Sequence, residues 1–376
     1  MDRVLHILSF DVPYPADYGG VIDVFYKLKC LHSVGVKIHL HCFKYGRDKS
    51  AILNQYCEKV TYYSRDTSIL NFFSRKPYIV KSRTSNELLN NLLKDNNAIL
   101  YEGVHCTSTL SYISKYNPSR KLFIRAHNIE SSYYRELYKL EKVLYKKIFF
   151  YLESIKLKLY EKKIYKNRKV FSISESDYNV LKCYTSSVSI ISPFHANFDV
   201  SSKLGKGDFA LFHGNLEVLD NELAALFFIE IFKKVKFPLV VAGRNPSAKL
   251  KNSIKDFVNI KLIDYPNDEE LFNLIQNAHI NLFYSFQSAG VKLKFINALF
   301  KGRFCFVNKN YVVNNVFSDL CKVITSENHW LREIELVFEK SFNEKDLDDR
   351  KTFIECFTND FNLKNLQKEM FKSNYS

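Results

Sequence analysis

Two lysines follow a glycine-ended turn in the second half of the sequence, in an arrangement that suits an anion. An apolar run, Ile280–Phe283, leads into a turn of small residues that ends at Gly290, and a helical pattern covers Val291–Phe300. Free backbone N–H groups at such a helix start bind anions. Lys292 and Lys294 fall in the first helical turn, where cations are unfavourable unless an anion is present. The residues alone leave two readings open: a phosphate site and a solvated basic turn.

Histidine and glutamate residues follow two other predicted strands. The strand Ile99–Tyr101 ends in Glu102-Gly103-Val104-His105, and the strand Leu122–Ile124 ends in Arg125-Ala126-His127-Asn128. Ligand-binding side chains of open α/β sheets gather at the carboxyl ends of the strands. A lone histidine is more often structural, but two such strand ends together predict an active-site edge.

A third candidate lies near the start of the chain, where Tyr18-Gly19-Gly20 opens a predicted helix. The free N–H groups of that helix would lie at the top of the sheet. The same pattern is common as a tight turn between strand and helix in any doubly wound fold. From these residues alone the structural turn is favoured over a ligand loop.

The elements that must position these residues follow the alternating strand–helix rhythm of α/β proteins. The 376 residues suffice for two domains with separate cores. The rhythm runs through the first half, is interrupted by the polar stretch 191–208, and restarts near Phe209. The sequence therefore predicts two doubly wound Rossmann-like domains, residues 1–195 and 205–350, followed by a charged helix over 351–376.

Composition narrows the functional classes. The formal net charge of +15 is compatible with nucleic acid, an anionic membrane or phosphorylated substrates. No nucleic-acid-binding motif supports the first. No apolar run reaches the roughly 18 residues of a membrane span, and the first strand lacks the features of a signal peptide. The eight cysteines contain no CxxC pair, which predicts reduced core thiols in a cytoplasmic protein and no zinc site.

The segment Lys139–Lys169 is strongly basic, with eleven Lys or Arg and three Glu. Its apolar residues keep helical spacing and predict one or two long amphipathic helices. The apolar residues in this pattern are Leu140, Val143, Leu144, Ile148, Leu152, Ile155, Leu159 and Ile164. Two readings stay open: a solvated face on a helix whose apolar side is buried, and a surface that docks on anionic lipid.

The stretch GVKLKFINALFKGR resembles the donor-binding segment of GT-B glycosyltransferases, in particular the retaining group called family 4. That group reads roughly G-x-[KR]-x-K-x-x-E-A-[ML]-A-x-G. The positions that match are Gly290, Lys292, Lys294, Ala298, Leu299 and Gly302. The family's glutamate, which usually holds the nucleotide ribose, falls on Asn297, and a second glutamate found in many members falls on Ala289. An amide can still hydrogen-bond a ribose hydroxyl, without the extra strength of a charged acceptor.

Other segments carry the same resemblance. Family 4 enzymes have a P-x-x-x-G-G loop near the donor phosphates and the acceptor, which Pro15, Gly19 and Gly20 match. RAHNIE resembles the segment whose histidine, here His127, faces the transferred sugar. Arg244 lies in a GRxPS-like turn. The resemblance implies a GT-B fold, with two Rossmann-like domains facing each other across a cleft and a C-terminal helix that returns to the first.

The resemblance and the strand ends together assign the candidate site residues. The predicted catalytic residues are His127, Lys292 and Arg244. The predicted donor-binding residues are Gly19, Gly20, Gly214, Arg244, Ser288, Gly290, Val291, Lys292, Lys294 and Asn297. The predicted acceptor-side residues are Tyr18, Glu102, His105, Arg125 and Asn128. No metal ligand and no cofactor are predicted.

The predicted function is transfer of a sugar from a nucleotide-diphospho-sugar to the hydroxyl of a sugar or lipid-linked glycan, with retained configuration and without a metal. Bacterial surface-polysaccharide assembly would be its setting. The protein would be cytoplasmic and peripheral at the inner face of the membrane, and would not bind nucleic acid. Two alternatives remain: a catalytically degenerate GT-B binding or partner subunit, which the missing glutamates favour, and a GT-B sugar-nucleotide epimerase, which would need more carboxylates.

Overall fold

The computed structural model describes residues 3–286, 293–311 and 320–371. The chain divides into two compact units, residues 1–196 with 359–376 and residues 197–358. In each unit every strand pairing is parallel. Helices cover both faces of such a sheet, and the strands read as continuous apolar runs for that reason.

The first unit alternates strands with helices. Its strands are β1 (Val4–Ser9), β2 (Lys37–Lys44), β3 (Lys59–Ser64), β4 (Ala98–Glu102), β5 (Leu122–Ala126), β6 (Lys169–Ser172) and β7 (Val188–Ile190). Its α-helices before the second unit are α1 (Gly19–Ser33), α2 (Tyr78–Lys81), α3 (Asn86–Leu92), α4 (Leu110–Tyr116), α5 (Glu130–Leu140), α6 (Leu144–Tyr165) and α7 (Glu175–Leu181). Short 3₁₀ helices cover Ala51–Gln55, Ile69–Phe73 and Val104–Thr109.

The strand order of the first unit is β3-β2-β1-β4-β5-β6-β7. The order reverses direction between β1 and β4, and ligands of doubly wound sheets bind beyond the carboxyl ends of the strands at such a reversal. The β1 end leads towards the start of α1 at Gly19, and β4 ends at Glu102. The topology therefore brings the Gly19-Gly20 turn and the histidine-bearing strand ends to one edge.

The second unit repeats the plan with a smaller sheet. Its strands are β8 (Ala210–Asn215), β9 (Leu239–Arg244), β10 (Ile260–Asp264), β11 (Ile280–Phe283), β12 (Phe304–Asn308) and β13 (Lys322–Ile324). Its α-helices are α8 (Leu219–Phe232), α9 (Ala248–Ser253), α10 (Asp268–Asn277), α11 (Leu293–Lys301), α12 (Glu327–Phe338) and α13 (Glu344–Ile354). The order β10-β9-β8-β11-β12-β13 reverses between β8 and β11. β11, which the predicted donor segment follows in the sequence, pairs with β8.

The last helix, α14 (Asn359–Phe371), belongs to the first unit. Asn362 Oδ1 accepts a hydrogen bond of 2.9 Å from Ser192 N. The Asn359 amide bonds both the N–H and the C=O of His195. These paired contacts hold the end of the chain against the segment that follows β7. The sequence placed the start of the returning helix at 351, whereas residues 344–354 form α13 of the second unit and the return begins at Asn359.

The basic segment begins at the last turn of α5 and consists mainly of α6, and these two helices pack against each other. The buried residues of α6 include Glu153, Leu157, Glu161 and Ile164, which share one face. Of the apolar residues that defined the predicted pattern, only Ile164 is buried; the other seven are exposed. None of the described helices is both long enough and apolar enough to span a bilayer.

Candidate functional site

A buried cluster of charged side chains lies at the carboxyl edge of the first unit's sheet. Its members come from three elements, α1, β4 and the end of β5, and are Asp23, Lys27, Glu102, Arg125 and His127. All five side chains are buried. Two carboxylates and two permanent cations balance each other, which lowers the cost of removing four charges from water.

Asp23 lies at the centre of this cluster. Its carboxylate accepts hydrogen bonds from Arg125 Nε at 2.6 Å and Arg125 Nη2 at 2.9 Å. It also accepts from Lys27 Nζ at 3.1 Å and from the backbone N–H of Phe194 at 2.7 Å. Burial alone would raise the pKa of Asp23, but Arg125 and then Lys27 hold it well below its ordinary value. Asp23 is therefore ionised in the folded protein.

Glu102 joins the cluster to the histidine. Its Oε1 accepts from Lys27 Nζ at 2.7 Å, and its Oε2 lies 2.8 Å from His127 Nε2. Burial opposes its ionisation, but Lys27 and the hydrogen bond from His127 lower the pKa of Glu102. An ionised Glu102 accepts the Nε2 proton of His127, so a neutral His127 has Nδ1 as its acceptor. Nδ1 makes no hydrogen bond within the described residues, which leaves it available to a ligand.

The structure bears on the predicted roles of Glu102 and Arg125. Both side chains are fully buried, at 0% exposure, and their polar atoms bond other members of the cluster or, for Arg125, the carbonyls of Ile191 and Ser192. In this structure neither side chain is exposed to an acceptor. Glu102 contacts His127 directly, whereas Arg125 is linked to the cluster through Asp23. Their predicted acceptor-side roles stay predictions, and the geometry fits an indirect role better.

Asp23 and Lys27 were missed from the sequence. The signal was present: both are charged residues four positions apart inside the mostly apolar run VIDVFYKLKCL. Residues at this spacing share one helix face, and a charge pair on the buried face of a helix requires partners of its own. Those partners lie 75 and 102 residues away in the chain.

Asp23, Glu102 and His127 each offer an atom that could hold a metal ion. However, Lys27 and Arg125 already bond both carboxylates at 2.6–3.1 Å. A divalent cation in the same place would be repelled by one ammonium group, that of Lys27, and one guanidinium group, that of Arg125. The arrangement fits an ion-pair cluster that orients His127 better than a metal centre.

The ring of Phe10 lies beside three of the predicted residues, His105, His127 and Gly20. It lies 5.4 Å from the ring of His105 and 5.5 Å from that of His127, measured between centroids. A Cβ atom at Gly20 would lie 2.6 Å from Phe10 Cζ, so the turn fits only because Gly20 has no side chain. Burial, with Arg83 and His127 nearby, lowers the pKa of His105 well below its usual value. His105 is therefore neutral, and its buried Nδ1 has no hydrogen-bond partner in the described part of the chain.

The other predicted residues of this edge are more exposed. Gly19 is exposed and begins α1 after Tyr18, whose side chain makes no capping hydrogen bond. The Tyr18 hydroxyl donates to Asp11 Oδ2 at 3.0 Å, which holds its ring beside the turn. Asn128 is exposed at the end of β5. The structure thus brings Gly19, Gly20, Tyr18, His105 and His127 to one edge of the first unit's sheet.

In the second unit, Lys294 lies where α11, β8 and α8 meet. Its Nζ donates to Asn221 Oδ1 at 3.1 Å and lies 5.5 Å from the centre of the Phe212 ring. Asn221 Nδ2 in turn donates to the carbonyl of Asn215, at the end of β8. Gly214 lies one residue earlier, with the Asn221 side chain packed against it. Lys294 and Gly214 are therefore neighbours of one side chain, Asn221, which the sequence reasoning did not assign.

Asn297 lies half-buried on α11, and its Oδ1 accepts a hydrogen bond of 2.8 Å from Asn197 Nδ2. Arg244 ends β9 with an exposed side chain. Ser288, Gly290, Val291 and Lys292 lie outside the described residues. The approach to that segment is held by Asp220, whose carboxylate accepts from Phe286 N at 3.1 Å and from Ser285 Oγ at 3.2 Å.

His213 is another residue that the sequence reasoning did not assign. It lies near the carboxyl end of β8 and is buried. Burial, and then the charge of Lys294, lowers the pKa of His213 to about 3. Its Nε2 has no partner among the described residues. A neutral imidazole with a free ring nitrogen at a strand end next to a lysine is a candidate contact for a ligand.

A curated relative shows where the chain belongs. An uncharacterized 44.6 kDa protein in the cps region of Klebsiella pneumoniae is 30% identical over 316 residues, which are 78% of this chain and 79% of that protein. This chain belongs to the same family as the Klebsiella cps-region protein. No family model matches the chain.

Solved structures of the GT-B fold resemble this chain over almost its whole length. The lipopolysaccharide outer core galactosyltransferase WaaB matches with a TM-score of 0.63 and 10% identity, covering 98% of this chain and 99% of that one. An α,α-trehalose-phosphate synthase from Burkholderia xenovorans matches with a TM-score of 0.63 and 9% identity, covering 98% and 100%. MurG of Acinetobacter baumannii matches with a TM-score of 0.54 and 10% identity, covering 98% and 99%. The predicted GT-B fold is confirmed.

Proposed function

We propose that the protein is a retaining glycosyltransferase that moves a sugar from a nucleotide-diphospho-sugar to an acceptor hydroxyl. The observation that carries this proposal is the placement of His127. Its Nε2 is held 2.8 Å from an ionised Glu102, which ends β4 at the reversal of strand order, and its Nδ1 is left without a partner in the described chain. A fold alone does not determine an activity. An oriented imidazole whose Nδ1 can accept a hydrogen bond from a hydroxyl group is, however, well suited to binding a sugar.

The leaving group of such a reaction is a nucleotide diphosphate, whose developing charge must be stabilised. Lys292, with Lys294 and Arg244, would supply that charge without a metal, and the N–H groups at Gly20 and Gly290 would add hydrogen bonds. Asn297 would bond the ribose with the amide hydrogens that its contact with Asn197 leaves free. A relative in a cps region accords with a role in surface-polysaccharide assembly.

A screen of nucleotide sugars tests this proposal directly. We expect one of them to raise the melting temperature through mass action and to release nucleoside diphosphate slowly in the absence of acceptor. The matched control is a His127→Asn variant, in which stabilisation should persist and release should fall. If a broad panel gives neither stabilisation nor release, the proposed donor class is wrong.

Nucleotide-diphosphate binding should depend on Lys292. Lys292→Ala removes a charge-assisted contact worth roughly 1.5–3 kcal/mol, so the dissociation constant should rise on the order of tenfold to a hundredfold. Isothermal titration with the nucleoside diphosphate of the active donor measures this. Lys301→Ala, at the C-terminal end of α11, is the matched control and should leave affinity unchanged. Equal affinities for the two variants would exclude the phosphate site.

One observation favours a second candidate, a GT-B subunit that binds a nucleotide sugar or a partner without turnover. The family's two glutamates are replaced by Ala289 and Asn297. The titration and the release assay of the screen together separate the two, because a degenerate subunit would bind the nucleotide and show no release of nucleoside diphosphate with any acceptor.

The exposed face of α6 carries a proposal about location. Five apolar residues, Leu144, Ile148, Leu152, Ile155 and Leu159, are spaced by three or four residues and form what we call the exposed stripe. Leu144 and Leu159 are 72% and 69% exposed. The helix 69–73 lies alongside, since Lys156 Nζ donates to the carbonyl of Phe72 and the rings of Phe72 and Phe149 are 4.9 Å apart. It adds the exposed side chains of Ile69, Leu70 and Phe73.

We infer that this surface docks on an anionic lipid bilayer. If the lysines only solvated one face of a core helix, the apolar residues of the helical pattern would be buried. Seven of those eight residues are exposed. Contiguous apolar surface of this kind marks interaction sites. Lys158, Lys162 and Lys163 are exposed on the same helix, and lysines around an apolar stripe favour anionic headgroups over a neutral protein partner.

Sedimentation with vesicles measures the docking. We expect binding to anionic but not neutral vesicles, weakened by high salt. The triple variant Lys158→Glu, Lys162→Glu, Lys163→Glu should lower partitioning by at least about a hundredfold, because each lysine near an anionic surface contributes about 1 kcal/mol. The control triple, Lys249→Glu, Lys255→Glu, Lys345→Glu, changes net charge equally with exposed lysines of the second unit. Equal binding to both vesicle types, or equal loss in both triples, would contradict the inference.

A further inference from the structure

A second polar cluster of the first unit lies on β1, β2 and the α3–β4 loop, away from the site just described. His6 and His39 are opposite each other in the register of β1 and β2. Asp95 lies three residues before β4 begins at Ala98. One ring nitrogen of each histidine and one carboxylate oxygen of Asp95 all lie within 4.8 Å of one another. We propose that His6, His39 and Asp95 bind one divalent transition-metal ion of the zinc class.

The ligand set has the chemistry of such a site. Two imidazoles and one carboxylate, with the remaining position left to water, are donors that Zn²⁺ takes at about 2.0–2.2 Å. Tetrahedral ligands at that range are about 3.3 Å apart. His6 Nε2 is 3.0 Å from both oxygens of Asp95. The distance between Nε2 and the coordinating oxygen therefore needs to increase only slightly for both atoms to bind one ion. His39 and Asp95 are half-buried, which leaves an entry path from solvent.

His6 is oriented by a chain of hydrogen bonds behind it. Its Nδ1 lies 2.9 Å from His41 Nε2, and His41 Nδ1 lies 2.8 Å from the Tyr63 hydroxyl. Asn91 Nδ2 donates to that hydroxyl at 3.0 Å. With a metal on His6 Nε2, the Nδ1 proton is donated to His41, whose own Nδ1 proton is donated to Tyr63. Partners of this kind on the second nitrogen hold metal-binding histidines in the required tautomer.

Asp95 is oriented as well. Its Oδ1 accepts from the backbone N–H of Asn97 at 2.9 Å and from Arg120 Nη2 at 3.1 Å. These contacts leave Oδ2 for the ion. The positive charge of the Arg120 guanidinium repels a metal ion bound to Asp95, so we expect the site to bind the ion with moderate affinity. His39 makes no hydrogen bond to the described residues, so its imidazole is free to turn towards the ion.

The physical consequence would be a clamp between β1, β2 and the α3–β4 loop. A metal bound to the folded state but not to the unfolded chain stabilises the fold by mass action. The site is separate from the His127 cluster, so the proposal does not depend on the proposed transferase activity.

Cobalt substitution and thermal unfolding test the site. The full chain, stripped with chelator, should bind one Co²⁺ with the intense visible bands of a tetrahedral ion, and Zn²⁺ should displace it and raise the melting temperature. His39→Gln should weaken binding by more than the roughly 10- to 100-fold effect of losing a supporting hydrogen bond. This variant should still fold, because His39 supports no hydrogen bond in the cluster. His32→Gln, an exposed histidine of α1, is the control.

Two results would overturn the proposal. One is the absence of stoichiometric Co²⁺ binding and of any Zn²⁺-dependent stabilisation. The other is binding that His39→Gln and Asp95→Asn leave unchanged, which would locate the ion elsewhere in the chain. In either case His6, His41 and Asp95 form a structural polar network only.

Discussion

Asp23→Ala should destabilise the first unit by about 3–5 kcal/mol, the usual cost of removing one partner from a buried ion pair. Lys27 and Arg125 are fully buried, and the substitution leaves two cations with Glu102 as their nearby anion. Arg125 also loses two of its hydrogen bonds, and Phe194 N loses its acceptor. Hydrogen–deuterium exchange of peptides from β4 and β5 measures the change within this unit, since a two-unit chain does not give one well-defined unfolding free energy.

Glu136→Ala is the matched control for this prediction. Glu136 pairs with Lys139 at 2.6 Å, and both side chains are about half exposed. Surface pairs contribute about 0–1 kcal/mol, so exchange should barely change. The contribution of Asp23 has a definite pH dependence: its folded-state pKa is depressed, so the stabilisation is present above about pH 4 and is lost as pH falls below that. A loss under about 1 kcal/mol at neutral pH would contradict the picture of a buried charge cluster.

His127→Ala should lower the turnover number by about 100- to 1,000-fold, the range measured when one preorganised polar contact to a transition state is removed. Because Glu102 holds Nε2, the imidazole of His127 has a fixed orientation, and the variant removes this oriented contact. Donor affinity should change by only a few fold, because the charged contacts predicted for the nucleotide diphosphate, Lys292, Lys294 and Arg244, belong to the second unit. Steady-state kinetics with the donor found in the screen separates kcat from KM.

Glu102→Gln distinguishes positioning from folding. The amide oxygen can still accept a hydrogen bond from Nε2 of His127. The change removes one of the two carboxylates that pair with the Lys27 ammonium and leaves Asp23 as the other. It therefore weakens the hold on His127. We expect an intermediate fall in kcat, with the melting temperature monitored in parallel. If His127→Ala retains kcat within about threefold, the imidazole has no part in transfer and the proposed mechanism fails.

Several features followed directly from the sequence because they depend on local pattern. Continuous apolar runs separated by helical stretches indicated parallel sheets, and the restart near Phe209 indicated a second unit. Strand ends carrying Glu102, His105 and His127 were placed at one edge, because parallel strands share their carboxyl ends. The family motif around Lys294 located the predicted donor segment after β11.

The tertiary structure alone decided which of these groups are exposed and which pair with each other. Glu102 and Arg125 were predicted as acceptor-side residues, whereas the structure buries them and pairs them with Lys27 and Asp23, which are distant in the chain. Likewise, His6, His39 and Asp95 form the proposed metal site only because two strands and a loop meet.

The same limit applies to α6. Helical periodicity shows that apolar residues share a face, but it contains no information on whether that face is covered. The side of α6 that packs inwards carries Glu153, Leu157, Glu161 and Ile164, and the more apolar stripe points outwards. Periodicity is a property of neighbouring residues, whereas burial depends on which distant segments pack against them. For this protein the sequence therefore determined the order of strands and helices, and only the tertiary structure decided which side chains of the site are buried.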